Sequence, residues 1–170
     1  MRFHHMCIVV SDIERAKRLW RDVMKFDVQL EATVPDGPAT GPDPINDRGA
    51  DTMCTPKQID DAFGVKDASA KVALCANAEG AMIELMETQN PAVQKADRGW
   101  VRYGYTGFTE LGLVVDDLDY WYDRITEAGY EPQAPYIWPC AQIGRSFLFY
   151  DDDGNLIQMW QQNPATAAWA

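Results

Sequence analysis

Short apolar runs that end abruptly at acidic pairs punctuate this chain. Phe3 to Val10 is apolar apart from two histidines and stops at Ser11-Asp12, which predicts a strand. Asp12 then suits a helix N-cap, although Arg15 does not complete a capping box. The spacing predicts a helix over 13–24, with Ile13, Ala16, Leu19, Trp20 and Val23 on one face and Glu14, Arg18 and Arg21 on the other. Phe26 to Val34 reads as a second strand. Residues 35–69 hold Pro35, Pro38, Pro42, Pro44 and Pro56 with several glycines, so regular structure is broken there, except for a short helix at Pro56 to Phe63 capped by Thr55. Lys71 to Cys75 and Ala81 to Glu87 read as strands joined by the turn Asn77-Ala78-Glu79-Gly80.

After a polar and aromatic stretch at 91–107 the pattern starts again. Phe108 to Val115 is a strand stopped by Asp116-Asp117. A helix runs from Leu118 to Ala128, and Tyr130-Glu131 looks like the start of a strand. Arg145 to Tyr150 and Leu156 to Gln161 are strands joined by Asp151-Asp152-Asp153-Gly154-Asn155, a strong turn sequence. Val9-Val10-Ser11-Asp12-Ile13 aligns with Val114-Val115-Asp116-Asp117-Leu118 at an offset of 105 residues, and Met82 to Glu87 with Leu156 to Gln161 at an offset of 74. The first half therefore carries 31 extra residues, and 35–69 is the place for them. The expected organisation is one domain over 1–170: module one at about 1–90, a linker at 91–107 and module two at about 108–162.

Composition narrows the class. Apolar residues make up 46% and charged residues 24%, which argues for a packed globular chain. A formal charge of −11 repels nucleic acid and anionic membrane, so neither is an expected partner. No segment is apolar enough to span a bilayer, and the N-terminal apolar run is too short for a signal peptide, so the cytoplasm is the expected compartment. Cys7, Cys54, Cys75 and Cys140 are scattered and read as reduced thiols.

His5 to Ala16, with Trp20 to Phe26, resembles the opening of a module of the vicinal oxygen chelate family, the glyoxalase/bleomycin resistance/dioxygenase superfamily. Ile83-Glu84-Leu85 resembles its closing strand, Glu110 to Asp117 the second opening, and Asp151 to Trp160 the second closing strand. The resemblance implies an α+β fold: two tandem βαβββ modules forming a curved sheet, or partial barrel, around a shared pocket. It covers glyoxalases, epimerases, extradiol dioxygenases, fosfomycin-inactivating transferases and metal-free antibiotic-binding proteins. In the metal-dependent members each opening and each closing strand supplies one ligand. Carried over, these are His5, Glu84, Glu110 and Gln158. The family usually has His where this chain has Glu110 and Glu where it has Gln158.

Strand alternation supports the same four residues, because each is a polar group set in an apolar strand face. Two carboxylates, an imidazole and an amide need a compensating charge when buried together. One divalent cation would supply it, and this donor set suits Mg²⁺, Mn²⁺, Fe²⁺, Co²⁺, Ni²⁺ or Zn²⁺ without choosing among them. Singly, Glu84 could instead pair with an arginine such as Arg145. His4 is expected on the opposite face, as a structural or surface residue. Trp100, Tyr103, Tyr105, Trp138 and Trp160 are candidates to line an aromatic pocket. The first functional expectation is a metal-dependent lyase or isomerase, glyoxalase- or epimerase-like, acting on a small carbonyl or enediol-forming substrate, with Glu84 or Glu110 as catalytic base. The rival is a metal-free binding protein of the bleomycin-resistance type for a drug or aromatic ligand. Extradiol dioxygenase chemistry fits less well, because it needs two histidines and one carboxylate. A homodimer is expected by analogy with the family.

Overall fold

The structure, a computed structural model, describes residues 3–36, 54–95, 103–104 and 106–166. The chain divides into two compact units, residues 1–95 and 96–170. In the first unit β1 (Met6–Val9) leads into α1 (Ile13–Lys17) and a π-helical continuation (Arg18–Val23). β2 (Asp27–Val34), α2 (Pro56–Phe63), β3 (Ser69–Ala76) and β4 (Met82–Asn90) follow. Its sheet has the order β1-β4-β3-β2. The second unit holds β5 (Glu110–Val114), α3 (Leu118–Glu127), β6 (Trp138–Cys140), β7 (Gly144–Tyr150) and β8 (Leu156–Gln162), in the order β5-β8-β7-β6. In each, the opening strand pairs in parallel with the closing strand and the other pairs are antiparallel. The fold is therefore α+β with tandem βαβββ modules. The sheets are two open four-stranded sheets, not one closed barrel.

Each sheet buries one face under its own helix. Ala73 and Cys75 on β3 and Ile83 and Leu85 on β4 are essentially inaccessible, as are Leu19 and Trp20 above them. Trp20 meets Phe26 edge-on with ring centroids 5.2 Å apart. In the second unit Leu118 and Ile125 of α3 bury Phe147, Phe149, Ile157 and Met159 in the same way. No helix among the described residues is long and apolar enough to cross a membrane.

Several boundaries differ from the pattern-based reading. β1 starts at Met6 and β5 at Glu110, so Phe3 and Phe108 lie outside the ladders and are 73% and 93% exposed. The closing strands begin only at Met82 and Leu156, after the turns at Gly80 and Gly154, and offer nothing for earlier residues to pair with. The helix expected over 13–24 is α-helical only to Lys17. Met24 N–H then donates to the Leu19 carbonyl at 2.9 Å, an i→i+5 bond that widens the turn. Lys17 was not part of the expected buried face, yet it is buried, its ammonium 2.8 Å from Glu14 and 2.6 Å from Glu31. Burial opposes its charge, but the two carboxylates outweigh that and hold its pKa above the ordinary lysine value. The strand expected at Tyr130-Glu131 reduces to a single bridge between Pro132 and Phe149. β6 went unread because it contains Pro139, which an edge strand tolerates. Within 35–69, α2 has the expected cap: Thr55 and Gln58 form a full capping box. Most of the remainder, 37–53, lies outside the described residues.

A repeated latch joins each closing strand to the start of its helix. In the first unit Ile13 N–H donates to Glu87 Oε2 at 2.9 Å, and Lys71 holds the other oxygen at 3.0 Å. In the second, Gln161 donates to the Asp116 carbonyl and accepts from Arg145 Nε at 2.8 Å. Arg145 also grips Asp119 in the first turn of α3. Asp151 is buried and accepts from the backbone N–H groups of Asp153 and Asn155, which makes 151–155 a self-bonded turn.

The bond from Ile13, and then Lys71, hold Glu87 below its ordinary pKa of 4.5. A depressed carboxylate stabilises the fold fully above the unfolded-state pKa and loses that contribution as pH falls through the folded-state value. Glu87→Ala should therefore cost about 2 kcal/mol at neutral pH. In urea titrations the gap to the parent should narrow as pH drops below 4.5. A gap that does not change with pH would contradict the latch.

Candidate functional site

The sheet face turned away from α1 carries the polar residues of the first unit. Alternation along β1 and its lead-in puts His5, Cys7 and Val9 on this face and sends Ile8 inward. Glu84 stands directly opposite Cys7 in the parallel ladder. His5 Nε2 reaches Glu84 Oε2 at 3.1 Å, with the two side chains 36% and 19% exposed. Two predicted site residues are thus side by side. His4, expected on the opposite face, instead meets its neighbour: the two Nδ1 atoms lie 2.6 Å apart and the rings are edge-on. The short exposed lead-in before β1 is not held to strict alternation, which permits this. One Nδ1 must be the donor, so His4 sets the tautomer of His5. With His4 donating, the Nε2–H of His5 points at Glu84. With His4 accepting, Nε2 of His5 is a free lone pair able to ligate a cation.

Cys7 adds a third group. Its thiol hydrogen-bonds to Glu84, and partial burial, followed by the charge and hydrogen bond of that carboxylate, push the thiol up to about 11. Strand alternation already placed Cys7 on the face of His5, but nothing in the sequence marked it as a partner of Glu84.

The second unit repeats the register. Glu110 pairs with Leu156, and Gly112 pairs with Gln158, at the ladder position where the first unit has Cys7 and Glu84. A Cβ on Gly112 would sit 3.6 Å from the Gln158 amide oxygen, so that oxygen lies over the glycine. The Tyr103 hydroxyl donates to Glu110, and this bond pushes the phenol up to about 12. Tyr103, one of the aromatics expected to line a pocket, is 65% exposed. Trp138 and Trp160 are half-buried, and the Trp160 indole N–H donates to Gln162 at 2.9 Å. Trp100 and Tyr105 lie outside the described residues. A cleft of about 340 Å³ in this unit is lined by Gln142, Arg145, Gln161, Gln162 and Asn163, and by none of the expected aromatics.

His5 and Glu84 offer a cation one nitrogen and one carboxylate, and Glu110 and Gln158 are oxygen donors of the kind that borderline and hard divalent ions accept. Among the described residues no three His, Cys, Asp or Glu side chains form a ready-made cage. The pair in the first unit fits a metal by its donor chemistry and by the convergence of its two atoms.

The model of the Glyoxalase/Bleomycin resistance protein/Dioxygenase superfamily matches residues 2–159. No curated protein matches the chain. Among solved structures, a glyoxalase family protein from Bacillus cereus aligns at 17% identity with a TM-score of 0.74, covering 95% of this chain and 94% of that one. The fosfomycin resistance protein FosX from Listeria monocytogenes, complexed with Mn(II) and sulfate, aligns at 14% identity and a TM-score of 0.57, covering 96% and 91%. TnmS3, an antibiotic binding protein from Streptomyces sp. CB03234, aligns at 18% identity and a TM-score of 0.53, covering 95% and 98%. At these identities the likeness is one of fold.

The contact between Cys7 and Glu84 has a direct readout in metal-free protein. Glu84→Gln removes the carboxylate charge that disfavours the thiolate. Alkylation of Cys7 at pH 8 in the presence of chelator should then run several-fold faster than in the parent, with Cys7→Ser as the blank. An unchanged rate would mean that the two side chains do not meet in solution.

Proposed function

This chain belongs to the Glyoxalase/Bleomycin resistance protein/Dioxygenase superfamily, and on that premise we propose that it is a metal-dependent lyase or isomerase acting on a small carbonyl or enediol-forming substrate. The observation that carries this reading is the His5–Glu84 pair, whose donor atoms converge at 3.1 Å on the sheet face opposite the helix. The Mn(II) bound in one structural relative, FosX, supports it. His5 and Glu84 are the donors assigned to a divalent cation in the first unit, and Glu110 and Gln158 are the repeat-related donors of the second. A bound cation supplies the positive charge that stabilises an oxyanion on the substrate.

The two carboxylates have different surroundings, and this divides their roles. Glu84 has the His5 imidazole 3.1 Å from one of its oxygens and Cys7 directly across the ladder, which suits a group held in place as a ligand. Glu110 accepts from the exposed Tyr103 hydroxyl, which can swing away. Glu110 is therefore the base assigned to take a proton from a substrate carbon, with Tyr103 orienting it in the resting state.

One observation favours a second reading. The Tyr103–Glu110 bond satisfies the carboxylate without any cation. In a metal-free binding protein Glu110 would exchange that bond for the cationic or hydroxyl group of a drug-like ligand beside Trp138 and Trp160. The antibiotic-binding relative TnmS3 is the parallel. In both readings a small molecule is the partner and a homodimer is the assembly expected by analogy.

Elemental analysis of protein purified without chelator or an affinity metal separates the two. The enzyme reading expects bound divalent ion in the parent, lost in His5→Ala and in Glu84→Ala. No ion in the parent, and none taken up on titration, would sink that reading and leave the binding protein.

A further inference from the structure

We infer that the substrate received at the His5–Glu84 pair carries an apolar side group, a short aliphatic chain or a single aromatic ring, which lies over Leu74 and Leu30 with helix α2 as a fixed wall along one side. The inference rests on the placement of the substrate at this pair and deepens it by naming the class of substrate.

The ladders supply the seat. Cys7 stands opposite Glu84, Glu84 opposite Leu74, and Leu74 opposite Leu30, so the four form one row across β1, β4, β3 and β2 on a single sheet face. At about 4.8 Å per strand, the row carries an apolar strip about 10 Å long away from Glu84. Leu30 is 38% exposed and Leu74 only half-buried, so both keep apolar surface open. The repeat-related leucine of the second unit, Leu148 opposite Gln158, is 3% exposed. The open strip therefore belongs to the first unit and not to the repeat.

The insertion supplies the wall. The next row on the same face runs through Met86 and Val72. Val72, Ala70 and Val34 form one buried cluster with Ile59 of α2, and Met86 and Phe63 pack against it. α2 thus covers part of the face that bears Glu84, beginning one row away, whereas Leu19 and Trp20 cover the other face. Its position is fixed by hydrogen bonds at both ends. Thr55 and Gln58 box its start, Ala68 N–H donates to Asp60 at 2.8 Å, and the Asn90 amide donates to the Lys66 and Asp67 carbonyls at 2.9 and 2.8 Å. A substrate group leaving Glu84 finds open apolar surface across the strands and a barrier along them. That shape favours a linear or flat group one row wide, and covering the two leucines is the gain that holds it.

Cys7 shares the row and is exposed, so it can tether probes beside the seat. Full-length protein in chelator is equilibrated in a thiol buffer with disulfides that deliver methyl, butyl, benzyl or naphthylmethyl groups, and the occupancy of Cys7 is read by peptide mass spectrometry. Butyl and benzyl should be retained several-fold better than methyl, each covered methylene adding up to about fourfold. Leu74→Gln, and Leu30→Gln on the edge strand, should remove that gain. Naphthylmethyl should be held less well than benzyl by the parent and should match it in Met86→Ala. Equal retention of all four groups by the parent, or a gain that survives both leucine variants, would overturn the inference. Naphthylmethyl held as well as benzyl by the parent would overturn the wall. Self-association lost in Leu74→Gln with no dependence on probe size would assign the strip to a second copy of the chain and overturn the inference too. The probes are read without metal, so these outcomes are separate from failure of the metal reading, which shows as absent metal in elemental analysis.

Discussion

The parallel pairing between each opening strand and its closing strand is the constraint on which everything else here depends. In both units the opening strand runs beside the closing strand with the same stagger, setting Cys7 against Glu84 and Gly112 against Gln158. Strand side chains alternate between faces, so a slip of one residue would turn Glu84 and Gln158 toward the helices and bring Ile83, Leu85, Ile157 and Met159 out into water. The buried apolar positions thus hold the polar ones in place. Burying a branched or aromatic side chain contributes about 1.5–3 kcal/mol each, far more than the exposed hydrogen bonds on the other face could offset in a shifted register. The latches reinforce the choice. Glu87 and Gln161 stand three residues past the donor position on the opposite face, and each reaches the start of the helix that follows the opening strand.

The two latches do the same job with different charge. Lys71 and Glu87 form an ion pair on which a helix N–H docks, while Arg145 holds a neutral glutamine and takes its counter-charge from Asp119 on the helix itself. The same divergence appears at the donor position, where a carboxylate at 84 faces an amide at 158. In both cases the closing strand of the second unit has exchanged Glu for Gln. The cost to a cation is clear, because a neutral amide oxygen attracts it less than a carboxylate does. Glu110, where the family usually places histidine, restores one negative charge.

Much of this architecture was legible in the sequence. The offsets of 105 and 74 residues between the halves predicted the common register that the ladders show. Asp12 and Thr55 announced helix starts because a short acceptor side chain before an apolar period has one good use. Other features escaped for identifiable reasons. The π-helical turn after Lys17 leaves no mark in a 3.6-residue pattern. Lys17 is buried between Glu14 on its own helix and Glu31 on β2, and the second pairing is invisible along one segment. β6 hid behind Pro139. At the site, alternation found His5, Glu84, Glu110 and Gln158 as polar groups in apolar strands, but it could not find their neighbours. The Tyr103–Glu110 bond depends on a linker outside any strand, and the His4–His5 contact on a lead-in too short to be held by a ladder.

Those neighbours decide what the four residues can do. A bare carboxylate on a sheet face is equally ready for a metal, a substrate proton or an arginine. Glu84 has the His5 imidazole 3.1 Å from one of its oxygens and Cys7 directly across the ladder, so two neighbours on the opening strand hold it in place. Glu110 accepts one hydrogen bond, from a phenol that no divalent ion of this class would displace readily and that ionises only near 12. The first arrangement behaves as an anchor and the second as a movable group with a returning partner. The difference between the repeat-related units arises from two local features: a cysteine at the ladder position where the second unit has a glycine, and a tyrosine hydroxyl bonded to Glu110 from before its strand.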